Sequence, residues 1–282
     1  MTPRFALVTD TTADLPTELV RQHNIYMIPQ IIVWGRESLR EGIDITSAEF
    51  FQRLATTTVM PTTSRPVPSD TVDLFKRAIK ETGAESVVAV VVSKDVSGTV
   101  SSVEQAMKEV DFPVHLVDTR TISLALGLTV LKVAEARDAG ASPEEAVALA
   151  RATAANSHAI FTPGTLEFLR RGGRIGGARH LLGTALNIKP ILTIQDGHVE
   201  PLENVRTRKR ALQRLIELTG ERIAPGKPVQ LGVVHGAVPE EAAEVASALE
   251  QLYKPERLLQ SWIGASIGVH AGPGVLGIMI VQ

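Results

Sequence analysis

Four stretches of this 282-residue chain bring together side chains with chemistry to offer. In Pro61-Thr-Thr-Ser-Arg-Pro-Val-Pro68, three hydroxyls stand among three prolines. Proline fixes the backbone at low entropic cost, so Thr62, Thr63 and Ser64 either face a ligand in a set geometry or belong to a rigid connector. The segment Ser93 to Ser102 follows a strong strand pattern and precedes a helical one. A helix start beyond a strand end offers unpaired amides to an anion, although Ser97 serves equally well as a plain helix cap. In Leu166-Glu-Phe-Leu-Arg-Arg-Gly-Gly-Arg-Ile-Gly-Gly177, two glycine pairs flank Arg174 and imply a tightly constrained backbone. Arg170 and Arg171 there also read as ordinary basic residues at a helix end. The fourth stretch, His270-Ala-Gly-Pro-Gly274, sets an imidazole at an apparent strand end beside a turn, as a proton donor and acceptor or as a structural hydrogen bonder.

Other chemistries are not expected. Cysteine is absent, which removes thiol nucleophiles and Cys-ligated zinc and suits the cytoplasm. The seven histidines show no paired metal-ligand spacing, and neither a dinucleotide fingerprint nor a P-loop occurs. A net charge of −2 and 4% aromatic residues disfavour a nucleic-acid partner. No apolar run is long enough for a signal peptide or a bilayer span.

The elements that must position these residues alternate strand and helix. Strands are expected at Phe5–Thr9, Ile25–Trp34 with Pro29 at an edge or bulge, Val87–Val92 and Val114–Val117. Asp14, Thr46 and Ser142 are expected to cap helices, and an Ala/Leu-rich helix is expected from Ile122 to Asp138. Beyond His158, Asp196-Gly197 between apolar runs predicts a hairpin, which a purely parallel domain would not supply. The expected architecture is therefore α/β in two domains. Residues 1–156 form a parallel three-layer α/β/α unit, and residues 157–282 form an α/β unit with a mixed sheet.

Taken in order, VTDTTADLP at 8–16, TTSRP at 62–66, SGTVSS at 97–102, LEFLRRGGRIG at 166–176 and HAGPG at 270–274 resemble the DegV family over nearly the full length. That family comprises two-domain fatty-acid-binding proteins, some of them acyl-carrying subunits of bacterial fatty acid kinase. The resemblance implies a bound long-chain fatty acid, no cofactor and no catalysis by this chain itself. A separate kinase subunit would phosphorylate the bound carboxylate to an acyl phosphate. It further implies that Thr63, Ser97 and His270 hold the carboxylate, with Ser64 and Gly98 adding backbone amides and Arg174 in or beside the network. Arg170, Arg171 and Arg174 are then expected to touch phosphate or partner. Thr11 and Arg65 depart from the commonest form, which has serine and glutamine there.

The tail is expected in the second domain among Phe161, Phe168, Leu181, Leu182, Leu186 and Ile188. Contact with a membrane would be transient, without an integral segment. A rival reading takes Ser97 as nucleophile and His270 as base of a hydrolase or acyltransferase, although Ser97 lacks a G-x-S-x-G elbow and has no assignable orienting acid.

Overall fold

Strand β1 (Ala6–Asp10) is buried at every position, as an apolar run must be when helices cover both faces of its sheet. Residues 3–182 and 188–282 are described by a computed structural model. The chain continues through β2 (Tyr26–Ile28), β3 (Ile31–Trp34), β4 (Glu37–Arg40), β5 (Thr62–Ser64), β6 (Val87–Val91) and β7 (Val114–Asp118). A parallel sheet forms in the order β2-β1-β6-β7. Helices Pro68–Thr82 and Thr99–Ala106 pack on one face, meeting Ala6, Val8, Ala89 and Val91. Helices Ser123–Asp138 and Pro143–Ala155 pack on the other, meeting Leu7, Val88 and Val90. Thr46 and Ser142 close capping boxes as their spacing predicts.

Two local expectations are corrected. The stretch from Ile25 to Trp34 is two strands, because Pro29 has no amide to continue a ladder. Its first part joins the parallel sheet, and its second becomes the centre of a separate antiparallel sheet, β4-β3-β5. Asp14 does not cap the following helix Thr17–Gln22, whose N-cap is Pro16; in left-handed conformation (φ 51°) it instead ends the 3-10 turn Thr11–Ala13.

The second sheet contains β8 (Ser157–Thr162), β9 (Lys189–Gln195), β10 (His198–Val205), β11 (Gln230–His235), β12 (Arg257–Trp262) and β13 (Leu276–Val281), in the order β10-β9-β8-β13-β11-β12. Only β11 and β12 pair in parallel, so this sheet is mixed. Asp196 and Gly197, both at positive φ, make the predicted hairpin between β9 and β10. Helices Arg208–Arg222 and Pro239–Tyr253 cover one face of the sheet. The other face looks toward the N-terminal half.

Helix Ser123–Asp138 is buried on nearly all sides, which places it between the two sheets and explains its Ala/Leu-rich sequence. A Cβ on Gly232 of β11 would lie 2.8 Å from Leu124 Cβ, so glycine lets helix and sheet approach. Two buried carboxylates also join the halves. Asp14 accepts hydrogen bonds from Ser123 Oγ and from the Gly264 amide at 2.7 Å. Glu41 accepts from the Ser266 amide at 2.8 Å, from Ser266 Oγ at 2.7 Å and from Thr11 Oγ1. Burial raises the pKa of both above the ordinary carboxylate range, and the hydrogen bonds oppose that rise.

Candidate functional site

Several loops meet beyond the carboxyl ends of β1 and β6, where open α/β sheets bind ligands. Asp10 ends β1 and is fully buried. Its carboxylate accepts from the Val92 amide at 2.9 Å, the Thr12 amide at 3.0 Å, Thr12 Oγ1 and Gln30 Nε2 at 3.2 Å. The Gln30 amide also donates to Thr99 Oγ1 at 2.7 Å, and Thr99 Oγ1 lies 2.8 Å from Ser97 Oγ. Ser97 accepts weakly from the Thr99 amide at 3.3 Å. Gly98 is the N-cap of the helix Thr99–Ala106, and Ser97, one residue before it, lines the space in front.

The proline-rich segment proves to be an edge strand. β5 pairs Thr63 with Ile32 and Ser64 with Ile31, and the Pro66 carbonyl accepts from Ser102 Oγ at 2.7 Å. Gly98 makes this fit possible, since a Cβ there would lie 2.9 Å from Arg65 Cβ. His270 does not stand at a strand end. It occupies the last turn of the short helix Ala265–Ala271, whose first amides Asp14 and Glu41 grip. Glycine costs helix stability, and here it serves close approach: a Cβ on Gly268 would come within 2.6 Å of the Phe50 ring, and one on Gly264 within 2.3 Å of the Glu41 carboxylate.

The His270 Nε2 lies 2.9 Å from Thr63 Oγ1, joining residues 207 positions apart. Its Nδ1 is buried against the Gly172 backbone without a partner in good geometry. Burial, helped by the nearby Arg174 charge, pushes the imidazole pKa down to about 4 against the opposing effect of the Gly172 backbone. The ring is consequently neutral at pH 7. Gly172 must be glycine here, because a Cβ would come within 2.1 Å of His270 Nδ1. Arg174 donates through Nε to the Val96 carbonyl at 3.0 Å and through Nη1 to the Gly172 carbonyl at 2.8 Å. Its guanidinium is thus fixed across the seam between the halves.

Thr63, Ser64, Ser97, Gly98, Arg174 and His270 all line one cavity of about 960 Å³, including its open mouth, where Ser64 and Arg65 are exposed. Most of the remaining lining is apolar, Phe161, Leu169, Ile194, Val234, Ile263 and Met279 among it. Arg170 and Arg171 lie outside this lining. Both pair on the surface with Glu167, Arg170 at 2.6 Å, and together they hold the Glu167 pKa down to about 2.

Of the expected tail contacts, Phe161 lines the cavity. Phe168, Leu181, Leu182 and Ile188 pack instead within or against the core behind it. Phe168 is held there by Gly272, where a Cβ would come within 2.3 Å of its ring. Leu186 lies outside the described residues. Thr12, Gln30, Ser123 and Ser266 are polar lining residues that sequence reasoning missed; Gln30, a lone amide inside an apolar run, was the available signal. The hydrolase pair is not assembled, since Ser97 engages Thr99 while His270 engages Thr63. Among the described residues, no group of His, Asp and Glu side chains is arranged to hold a metal ion, and no helix is long and apolar enough to cross a membrane.

A family model described as "Uncharacterised protein, DegV family" matches residues 4–282. The chain belongs to the DegV family. A DegV domain-containing protein of Streptomyces coelicolor is 41% identical over 281 residues, covering 99% of each chain. Among solved DegV structures, that of a Thermus thermophilus protein, described for its fatty acid binding, is 33% identical. It aligns over 99% of both chains with a TM-score of 0.91. DegV of Bacillus subtilis, described as a fatty acid binding protein, is 34% identical with the same coverage and TM-score. The mixed α/β architecture is thus that of DegV proteins.

Proposed function

We propose that this chain binds one long-chain fatty acid, with its tail in the apolar cavity and its carboxylate at the mouth. The observation that carries this reading is a single cavity with hydroxyls, a neutral imidazole and a guanidinium at one end and apolar walls beyond. The DegV relatives described as binding fatty acids support it.

Each buried CH₂ is worth about 0.8 kcal/mol, so a tail of roughly sixteen carbons gains on the order of 12 kcal/mol before ordering costs. A carboxylate entering the mouth loses water, at a cost of several kcal/mol unless hydrogen bonds replace it. With its proton on Nε2, His270 donates to Thr63 Oγ1, and the Thr63 hydroxyl is then free to donate to a carboxylate oxygen. Ser97, Ser64 and the Gly98 amide supply further donors, and Arg174 supplies charge.

Presented this way, the carboxylate is accessible to a separate kinase subunit that converts it to an acyl phosphate. Arg174 is the side chain best placed to stabilise the added phosphate, whereas Arg170 and Arg171 suit a docking role on the outer surface. On this reading, Arg174→Ala lowers acyl-phosphate formation with a partner kinase by at least tenfold more than it lowers lipid affinity. Equal effects on both would remove Arg174 from the transfer step.

The binding claim itself is tested by native mass spectrometry of the purified protein. One fatty acid per chain is expected, and it should be lost when Thr63 and Ser97 are both changed to alanine. A protein that neither carries nor takes up fatty acid would overturn the reading.

A further inference from the structure

The inward face of β13 contains a gap that backbone geometry does not explain. Leu276, Ile278 and Ile280 point into the core beneath the two outer helices. Val275, Gly277 and Met279 consequently face the cavity, and all three line it, at inward positions about 7 Å apart along the strand. Gly277 pairs directly with Phe161 on β8 and Val234 on β11, which also line the cavity. The result is a row across the sheet, Phe161–Gly277–Val234, whose central side chain is missing. In the next row, Ala159–Met279–Gly232, the sheet is covered by helix Ser123–Asp138 through the close Leu124 contact at Gly232. Met279 still lines the cavity in that row, with Leu124 closing over its neighbour Gly232, so the Gly277 row lies directly before the place where the sheet begins to be covered.

Glycine weakens a strand interior, and in such a place it often marks close approach of a ligand. Gly277 has no positive φ to require it. A Cβ there would lie 3.1 Å from Met279 Cε, 3.1 Å from Phe161 Cβ and 3.3 Å from Val234 Cγ2. A methyl group thus fits with small shifts of its neighbours, and anything larger must grow into the cavity.

We propose that Gly277 sets the length of acyl tail that the cavity accepts. The inference rests on the fatty-acid reading above and adds to it a residue that determines specificity.

The test is displacement of a fluorescent fatty acid by saturated acids of 8 to 18 carbons from the wild-type protein, Gly277→Ala and Gly277→Val. Wild-type affinity should rise by about fourfold per added CH₂ until the cavity is full. In Gly277→Val the rise should stop about two to four carbons earlier, because the valine side chain takes the volume of roughly that many methylenes. The eight-carbon acid should bind this variant within threefold of wild type, which also reports an intact fold. Gly277→Ala should stop about one carbon early, and it carries the test alone if the valine variant does not fold. The same stopping length in every folded variant, or an equal loss at every length, would overturn the inference by making Gly277 a packing residue. Failure of the wild-type protein to bind any acid would instead overturn the underlying reading.

Discussion

The mouth of the cavity and its interior are built on opposite plans. The mouth gathers β5, the loop after β6, the segment around Arg174 and the helix bearing His270, and almost every polar group there is held by a second one. Thr63 leans on His270, Ser97 on Thr99, and Thr99 on Gln30. The interior comes largely from one sheet face, and its shape depends on which side chains are absent as much as on those present. A polar end needs directional contacts at fixed points and so demands a preorganised network. An apolar end needs volume and closure, which many sequences supply.

The comparison breaks first if the polar end proves dispensable. Changing both Thr63 and Ser97 to alanine should cost about a hundredfold or more in fatty acid affinity, since each hydrogen bond to a charged group is worth about 1.5–3 kcal/mol. Loss of less than threefold in a displacement assay would mean that the tail alone decides binding. The clamp behind the mouth comes next. Glu41→Ala strands the Ser266 amide and two hydroxyls, and should lower stability by about 2–4 kcal/mol in urea unfolding, with Glu41→Gln restoring at least half.

A smaller effect concerns pH. The His270 pKa is depressed from 6.5 to about 4 in the folded chain, so its contribution to stability is full above about pH 6.5 and is lost as pH falls through about 4. Asp10, Asp14 and Glu41 act in the opposite sense. Their raised pKa values favour the fold at low pH and cost stability as pH rises through the folded values. NMR titration of the His270 ring should therefore show no transition between pH 8 and 5.5. A midpoint near 6.5 would mean that the ring is solvated and that the mouth is looser than its contacts indicate. The smallest effect belongs to Arg170→Ala with Arg171→Ala, surface partners of Glu167. Stability should change by less than about 1 kcal/mol and lipid affinity not at all, and a fall in affinity would extend the polar end beyond the cavity.

This contrast also explains what the sequence could reveal. Hydroxyls between prolines, glycine pairs around Arg174 and a histidine before Gly-Pro-Gly stand out because networks and close approaches admit few residue types. The mixed second sheet was legible from Asp196-Gly197, and the parallel first sheet from the Val87–Val91 run. Tail-lining residues were not, because Leu169 and Leu181 are both leucines in short helical segments and only three-dimensional packing separates wall from core. Pro29 marked an interruption without saying that the chain changes sheets there. Asp14 resembles a helix cap because its true partners, Ser123 and Gly264, are more than a hundred residues away.

The most direct measurement is carbon-13 NMR of carboxyl-labelled palmitate titrated with the purified protein. The account predicts one bound carboxyl resonance in slow exchange that saturates at one ligand per chain and is shifted or lost in Thr63→Ala. A carboxyl signal that stays at its free position and never saturates, or a bound signal indifferent to Thr63, would contradict it.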